Sequence, residues 1–140
     1  MAEPRRAAGG VLHRGRRVVL LYKRLLDEYR LPKGGVDAGE DDLPAAMREV
    51  AEESGFTDLS LEADLGEVEV SWRRPDGWVE QTHRYYLLGL LSFARRPRST
   101  KDAQRFAVLW CELEQALELI SFASEREVLK RAAPYLLSGP

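Results

Sequence analysis

Three glutamates, Glu49, Glu52 and Glu53, crowd into the decapeptide Met47–Phe56, MREVAEESGF. At roughly 100° per residue a helix carries all three on one stripe, with Arg48 at its border. Leu43, Ala46, Met47 and Val50 fall on the other side, so one face suits a core and the other gathers negative charge. Gly55 stops the helix. Glu52 and Glu53 then lie in the last turn, where each costs roughly 0.3–1 kcal/mol against the helix dipole. Arg48 before Glu52 is also the less favourable order for an i,i+4 pair. A solvated face explains clustered charge but not this placement. A divalent cation would turn the repulsion into attraction, and oxygen-only ligands suit hard ions such as Mg²⁺ or Mn²⁺. On spacing alone both readings stand.

Upstream, LPKGGVDAGE brings Gly34 and Gly35 together and sets Gly39 before Glu40. Adjacent glycines let a backbone approach a ligand closely, although such a loop by itself is more often a plain turn. The spacing joins it to the acidic stripe: Gly34, five residues, Glu40, seven residues, then Arg48-Glu49-Val50-Ala51-Glu52-Glu53-Ser54-Gly55-Phe56. Every constrained position of the Nudix box, G-x5-E-x7-R-E-U-x-E-E-x-G-U with U a bulky apolar residue, is filled. The chain therefore resembles the Nudix hydrolase superfamily. The flanks AAGGVLH and FAVLWCELEQAL resemble that family's first strand and its late strand running into a helix.

The resemblance implies an α/β fold, an α/β/α sandwich with a mixed β-sheet and a loop–helix–loop formed by the box. It implies hydrolysis of a nucleoside diphosphate linked to another moiety, by water attack on phosphorus with metal assistance. Glu49, Glu52 and Glu53 match positions that bind Mg²⁺ or supply the base. Glu49 and Glu53, one turn apart, are the first choice of ligands, with Glu52 sharing a second ion; which of the three acts as base stays open. The Gly34 carbonyl matches a backbone metal ligand, and Arg48 with Glu40 matches an ion pair that orients loop and helix. Many relatives also carry a late-loop Glu. Here Asp102 and Gln104 stand nearest, so either Asp102 substitutes or the helix does all the acid–base work, with a solvated Asp102 the simpler reading.

Lys33, in LPKG, resembles the branch acting on diadenosine and diphosphoinositol polyphosphates. It is either a point-charge phosphate binder or an exposed loop lysine. In QTHRYYLL, His83 and Arg84 could extend a basic phosphate track, with His83 more simply an ordinary strand residue. Trp72, Trp78, Tyr85 and Tyr86 are candidates for stacking a base, against the commoner core role of strand aromatics. Trp72 stands near where some dinucleoside polyphosphate hydrolases have Tyr. The leading expectation is Mg²⁺-dependent hydrolysis of dinucleoside polyphosphates. The alternatives are a MutT-like (d)NTP pyrophosphatase and a non-enzymatic Nudix module that senses a nucleotide.

The elements that must position these groups follow from apolar periodicity. AAGGVLH and RRVVLLYKR read as strands around a turn at His13–Arg16, and LLDEYRLPKGGVDAGE as a long irregular loop. Asp41–Ser54 reads as a helix capped by Asp41 or Asp42, with Pro44 tolerated in its first turn. Two strand-rich stretches around Pro75–Gly77 suggest a long hairpin. ARRPRSTKDAQ reads as a basic loop, FAVLWCEL as a strand, and Glu114–Leu119 as a short helix. A last helix starts at Ser124, with Glu127 completing a capping box and Val128, Leu129, Ala132 and Leu136 buried.

The 140 residues suit one domain, 1–140. A net charge of −2 demands neither nucleic acid nor an anionic membrane, and the basic patches ARRPR and WRRP are too scattered to change that. Cys111 is the only cysteine, which excludes an internal disulfide, and it reads as a small buried hydrophobe. No stretch approaches membrane-spanning length and the first residues lack an apolar targeting core. A cytoplasmic monomer or homodimer acting on a small nucleotide polyphosphate is expected.

Overall fold

The structure, a computed structural model, describes residues 6–137. In order these form β1 (Arg6–Arg14), β2 (Arg17–Lys23), β3 (Glu28–Arg30), β4 (Lys33–Gly35), α1 (Asp42–Ser54), β5 (Leu59–Arg74), β6 (Gly77–Leu90), α2 (Thr100–Arg105), β7 (Phe106–Glu112), α3 (Leu113–Leu119) and α4 (Ala123–Leu137). The described strands make one seven-stranded sheet in the order β3-β2-β1-β6-β5, with β4 added on β1 and β7 on β2. β1 and β6 run parallel and the other pairs antiparallel, so the sheet is mixed.

Alternation along the strands builds two cores. Val11, Val18, Leu20, Tyr85 and Leu87 pack with Val128, Leu129 and Ala132 of α4 on one face. Ala8, Leu12, Val19, Leu21, Tyr86 and Leu88 pack with Ala45, Ala46 and Val50 of α1 on the other. Both faces of the central strands are covered, which is why VVLL and YYLL read as unbroken apolar runs. This is the expected α/β/α sandwich. Gly55 ends α1 in the left-handed region, φ 85°, with its N–H on the Ala51 carbonyl. Cys111 is buried and free.

Local expectations needed correction where short elements leave little periodic signal. The irregular loop after β2 contains β3 and β4, each three residues long. β1 pairs with β2 only near their turn, at His13–Val18 and Arg14–Arg17. Where the two diverge, β4 takes over the ladder, pairing Lys33, Gly34 and Gly35 with Gly9, Ala8 and Ala7. The basic loop contains α2, whose first turn is capped by Ser99 Oγ accepting from Asp102 N at 3.1 Å.

Asp41 occupies the N-cap of α1 without a side-chain cap bond, and the Asp42 carboxylate is drawn instead to Arg6, at 2.6 Å. α4 begins at Ala123, so Ser124 lies inside it and the capping box is not its start; Glu127 pairs with Arg131 at 3.4 Å. Among the described residues no helix is long and apolar enough to cross a membrane.

Candidate active site

Antiparallel pairing with β1 lays β4 across the acidic stripe of α1. The Lys33 N–H donates to Glu53 Oε1 at 2.7 Å. A side chain at Gly34 would put its Cβ 2.5 Å from Glu49 Oε1 and nearer still to the rest of that carboxylate. The glycine is therefore required by a close approach. Arg48 closes the loop from the other side. Its Nε and Nη2 donate to Glu40 at 3.0 and 2.9 Å, Nη2 to the Gly35 carbonyl at 3.1 Å, and Nη1 to Glu49 Oε1 at 2.7 Å. Glu40 Oε1 also accepts from Asp37 N at 3.0 Å, so Arg48 and Glu40 together fix the shape of the glycine loop.

The electrostatics divide the carboxylates. Arg48 holds Glu40 down to about 2. Burial pushes Glu53 up to about 8, against the Lys33 N–H, and the neighbouring Glu49 charge adds to the rise. Burial raises Glu49 as well, against the pull of Arg48. A hard cation would ease these two partly buried carboxylates. Glu52 stays exposed, 3.6 Å from Arg48. Among the described residues no three carboxylate or imidazole groups stand gathered as a ready ligand set. Glu49 Oε1 is turned to Arg48 and Glu53 Oε1 to the Lys33 N–H. Their oxygen-only chemistry, and a backbone held against Glu49, fit a hard divalent ion. Asp102, on α2, is near enough for its charge to add to the rise of Glu53, whereas Gln104 is exposed.

Beside this cluster a cavity of about 490 Å³ opens between the β5–β6 hairpin and the start of α4. Lys33, Trp72, Gln81 and His83 line it. The cross-strand pairs Trp72–Val79, Val70–Gln81 and Val68–His83 put these residues on one face of the hairpin. Burial drives His83 down to about 4, with Lys33 and Arg30 adding to the effect, so the imidazole is neutral. Its Nε2 lies 2.8 Å from Gln81 Oε1. Burial, then Arg30, lowers Lys33.

Arg84 does not join this track. One residue along β6, it faces α1, where it pairs with Asp64 and lies 4.0 Å from Asp42 and 3.8 Å from Glu67. The expectation of a continuous His83–Arg84 track fails because successive strand residues point to opposite faces. Among the aromatics, Tyr85 and Tyr86 are core and Trp78 is exposed at the hairpin tip, leaving Trp72 in the cavity.

Three further charged residues converge here. Glu125 is 2% exposed. Its Oε1 accepts from Leu31 N at 2.6 Å and its Oε2 from Arg30 Nε at 2.9 Å. Arg30 in turn lies 4.3 Å from the Phe122 ring centre. Lys23 is half-buried, lowered by burial and then by Arg30 and Arg105, and it feels the charge of Glu53. Only Glu125 left a trace in the sequence, as a charge one turn before Val128 and Leu129 on the apolar stripe of α4.

An acidic helix under a glycine loop opens on a cleft of mixed charge within an α/β/α sandwich, an arrangement suited to the hydrolysis of phosphate anhydrides. Residues 3–132 match the family model of the NUDIX domain. The chain belongs to the Nudix family and is a pyrophosphohydrolase of that family. It is 31% identical over 113 residues to the asymmetrical bis(5'-nucleosyl)-tetraphosphatase of Mus musculus, covering 78% of this chain and 72% of that one. It is 28% identical over 148 residues to the RNA pyrophosphohydrolase of Ruthia magnifica, covering 94% and 82%. Among solved structures it resembles the C. elegans Ap4A hydrolase, with a TM-score of 0.71, 27% identity, and coverage of 95% of this chain and 98% of that one.

Proposed function

We propose that this chain hydrolyses dinucleoside polyphosphates with Mg²⁺ or Mn²⁺, by water attack on a phosphorus of the bridge. The observation that carries the reading is the double role of Lys33. Its N–H rests on Glu53 while its side chain lines the cavity, so one residue joins the acidic cluster to a cleft of substrate size. Relatives named for cleaving bis-nucleosyl tetraphosphates support the same substrate class.

In this reading Glu49, Glu53 and the Gly34 carbonyl would hold the ion, and Glu52 would share a second ion or take the proton of the attacking water. A cation there would neutralise phosphate oxygens and acidify that water. Arg48 orients Glu49 through its 2.7 Å bond and keeps the loop closed on Glu40. Lys33, with Arg30 beside it in the cavity lining, would meet the polyphosphate, and Trp72 would offer a face to a base. Asp102 remains a candidate for a supporting acid–base role. The reaction suits a cytoplasmic pool of small nucleotides. A sensing module is not retained, because the chain is a hydrolase.

The test is a substrate panel with Mg²⁺ or Mn²⁺ and chromatographic identification of products. Asymmetrical cleavage of diadenosine tetraphosphate should give a nucleoside triphosphate and a monophosphate. No product from diadenosine polyphosphates of any length would end the proposal. Preferred cleavage of triphosphates to monophosphate and pyrophosphate would select the MutT-like reading.

A further inference from the structure

The segment Leu31-Pro32-Lys33 runs beside β1 as a strap that leads into β4. Gly9 makes room for it, since a Cβ there would stand 2.6 Å from Lys33 Cβ. The Leu31 side chain is buried in the α4-side core. Each polar backbone group named along the strap is held. The Leu31 N–H donates to Glu125 Oε1 of α4, the Pro32 carbonyl accepts from Gly10 N at 3.2 Å, and the Lys33 N–H donates to Glu53 Oε1 of α1. Pro32 has no N–H to lose and stiffens the middle. Two carboxylates, from helices on opposite faces of the sheet, thus grip one three-residue strap.

Stability alone is a weak reason for Glu125. A buried ion pair is often matched or bettered by apolar residues of equal volume. The Tyr85 hydroxyl is buried beneath and has no hydrogen bond among the described residues, so this corner is not built for polar economy. That hydroxyl feels the charges of Glu125, Arg30 and Glu53 together.

We propose that Glu125 is a positioning residue for the reaction: by holding the Leu31 amide and Arg30, it fixes where the strap presents the Lys33 ammonium and the Glu53 carboxylate. This rests on the reading of Glu53 as a metal ligand. The residue touches neither metal nor reacting atoms and acts through two peptide bonds.

The test compares Glu125→Gln with Glu125→Asp. The first keeps the shape and loses the charge; the second keeps the charge and draws the carboxylate back by one methylene. Amide hydrogen exchange at Leu31 and Lys33, Mn²⁺ affinity by electron paramagnetic resonance, and kcat and KM on diadenosine tetraphosphate are read for each. Faster exchange at both amides, with Mn²⁺ affinity and kcat/KM each reduced by about 10- to 100-fold in the folded variant, is expected. If Glu125→Gln does not fold, Glu125→Asp carries the same expectation. A lower Tm with unchanged Mn²⁺ affinity, kcat and KM would overturn the proposal and leave Glu125 merely structural. If wild type and Glu53→Gln bind Mn²⁺ alike, the metal reading itself fails, whatever Glu125 does.

Discussion

Gly34→Ala separates chemistry from folding at this site. The glycine does not have positive φ, so alanine is conformationally acceptable there. It lowers the entropy of the unfolded chain by an amount worth about 0.4–1 kcal/mol. The new Cβ would stand 2.5 Å from Glu49 Oε1, so the carboxylate must retreat by at least about 1 Å to reach ordinary contact at roughly 3.5–4.0 Å. A flexible side chain can make that move, giving up its 2.7 Å bond to Arg48, a partly buried pair worth about 1 kcal/mol. The two effects nearly cancel, and stability should change by less than about 1 kcal/mol. Catalysis should not escape, because misplacing a group by 1 Å costs about 100-fold, or about 2.7 kcal/mol of barrier.

The assay pairs thermal unfolding with kcat/KM on diadenosine tetraphosphate and Mn²⁺ affinity. Gly15→Ala provides the opposite signature. That glycine has φ 60° and open space around a Cβ, so alanine strains the turn by roughly 1–2 kcal/mol and leaves activity intact. A Gly34→Ala enzyme with wild-type rate and Mn²⁺ affinity would remove Glu49 from the metal site. Loss of folding instead would show that the backbone, not the carboxylate, takes the collision.

Saturating Mg²⁺ should raise Tm, and Glu53→Gln should abolish that shift and lower the rate by orders of magnitude. Because burial holds the Glu53 carboxyl up to about 8, the metal-free variant should be the more stable one at pH 8; a rate within tenfold of wild type would refute the assignment. His83 titrates at about 4 when folded against 6.5 when unfolded, so the unfolded chain takes the proton first as pH falls. Stability should therefore decline from pH 6.5 towards 4, and His83→Gln should flatten that part of the Tm profile; parallel profiles would refute it. Lys33→Met should raise KM at least tenfold in steady-state kinetics, whereas Arg84→Met should leave KM unchanged, and equal effects would put both on the substrate track.

What the sequence displayed and what it concealed follow from how each group carries information. The box was legible because its constraints are on side-chain types at fixed spacing: glycine where Glu49 needs room, and Arg48 opposite Glu40. The layers were legible because both core faces leave long apolar runs. The sides of the hairpin were not. His83 and Arg84 are adjacent, and only pairing decides which one faces the cavity. The β5–β6 register shifts between Leu61 and Ala63 and again between Asp64 and Gly66, so a parity count along β5 fails between the two shifts and is restored only beyond them.

The join between the two halves of the site is harder still to read, because it is made of peptide groups. Leu31 and Lys33 reach Glu125 and Glu53 through backbone N–H donors, and any residue other than proline would offer the same donor. No residue type marks such a contact, and its partners lie 94 and 20 positions away. The only trace is indirect: a carboxylate on an apolar helix stripe, whose burial demands partners that the local sequence does not supply. Misfit charge is thus the shared clue in this chain. Glu53 at the wrong end of its helix and Glu125 on the wrong face of its own meet the same three-residue strap from opposite sides.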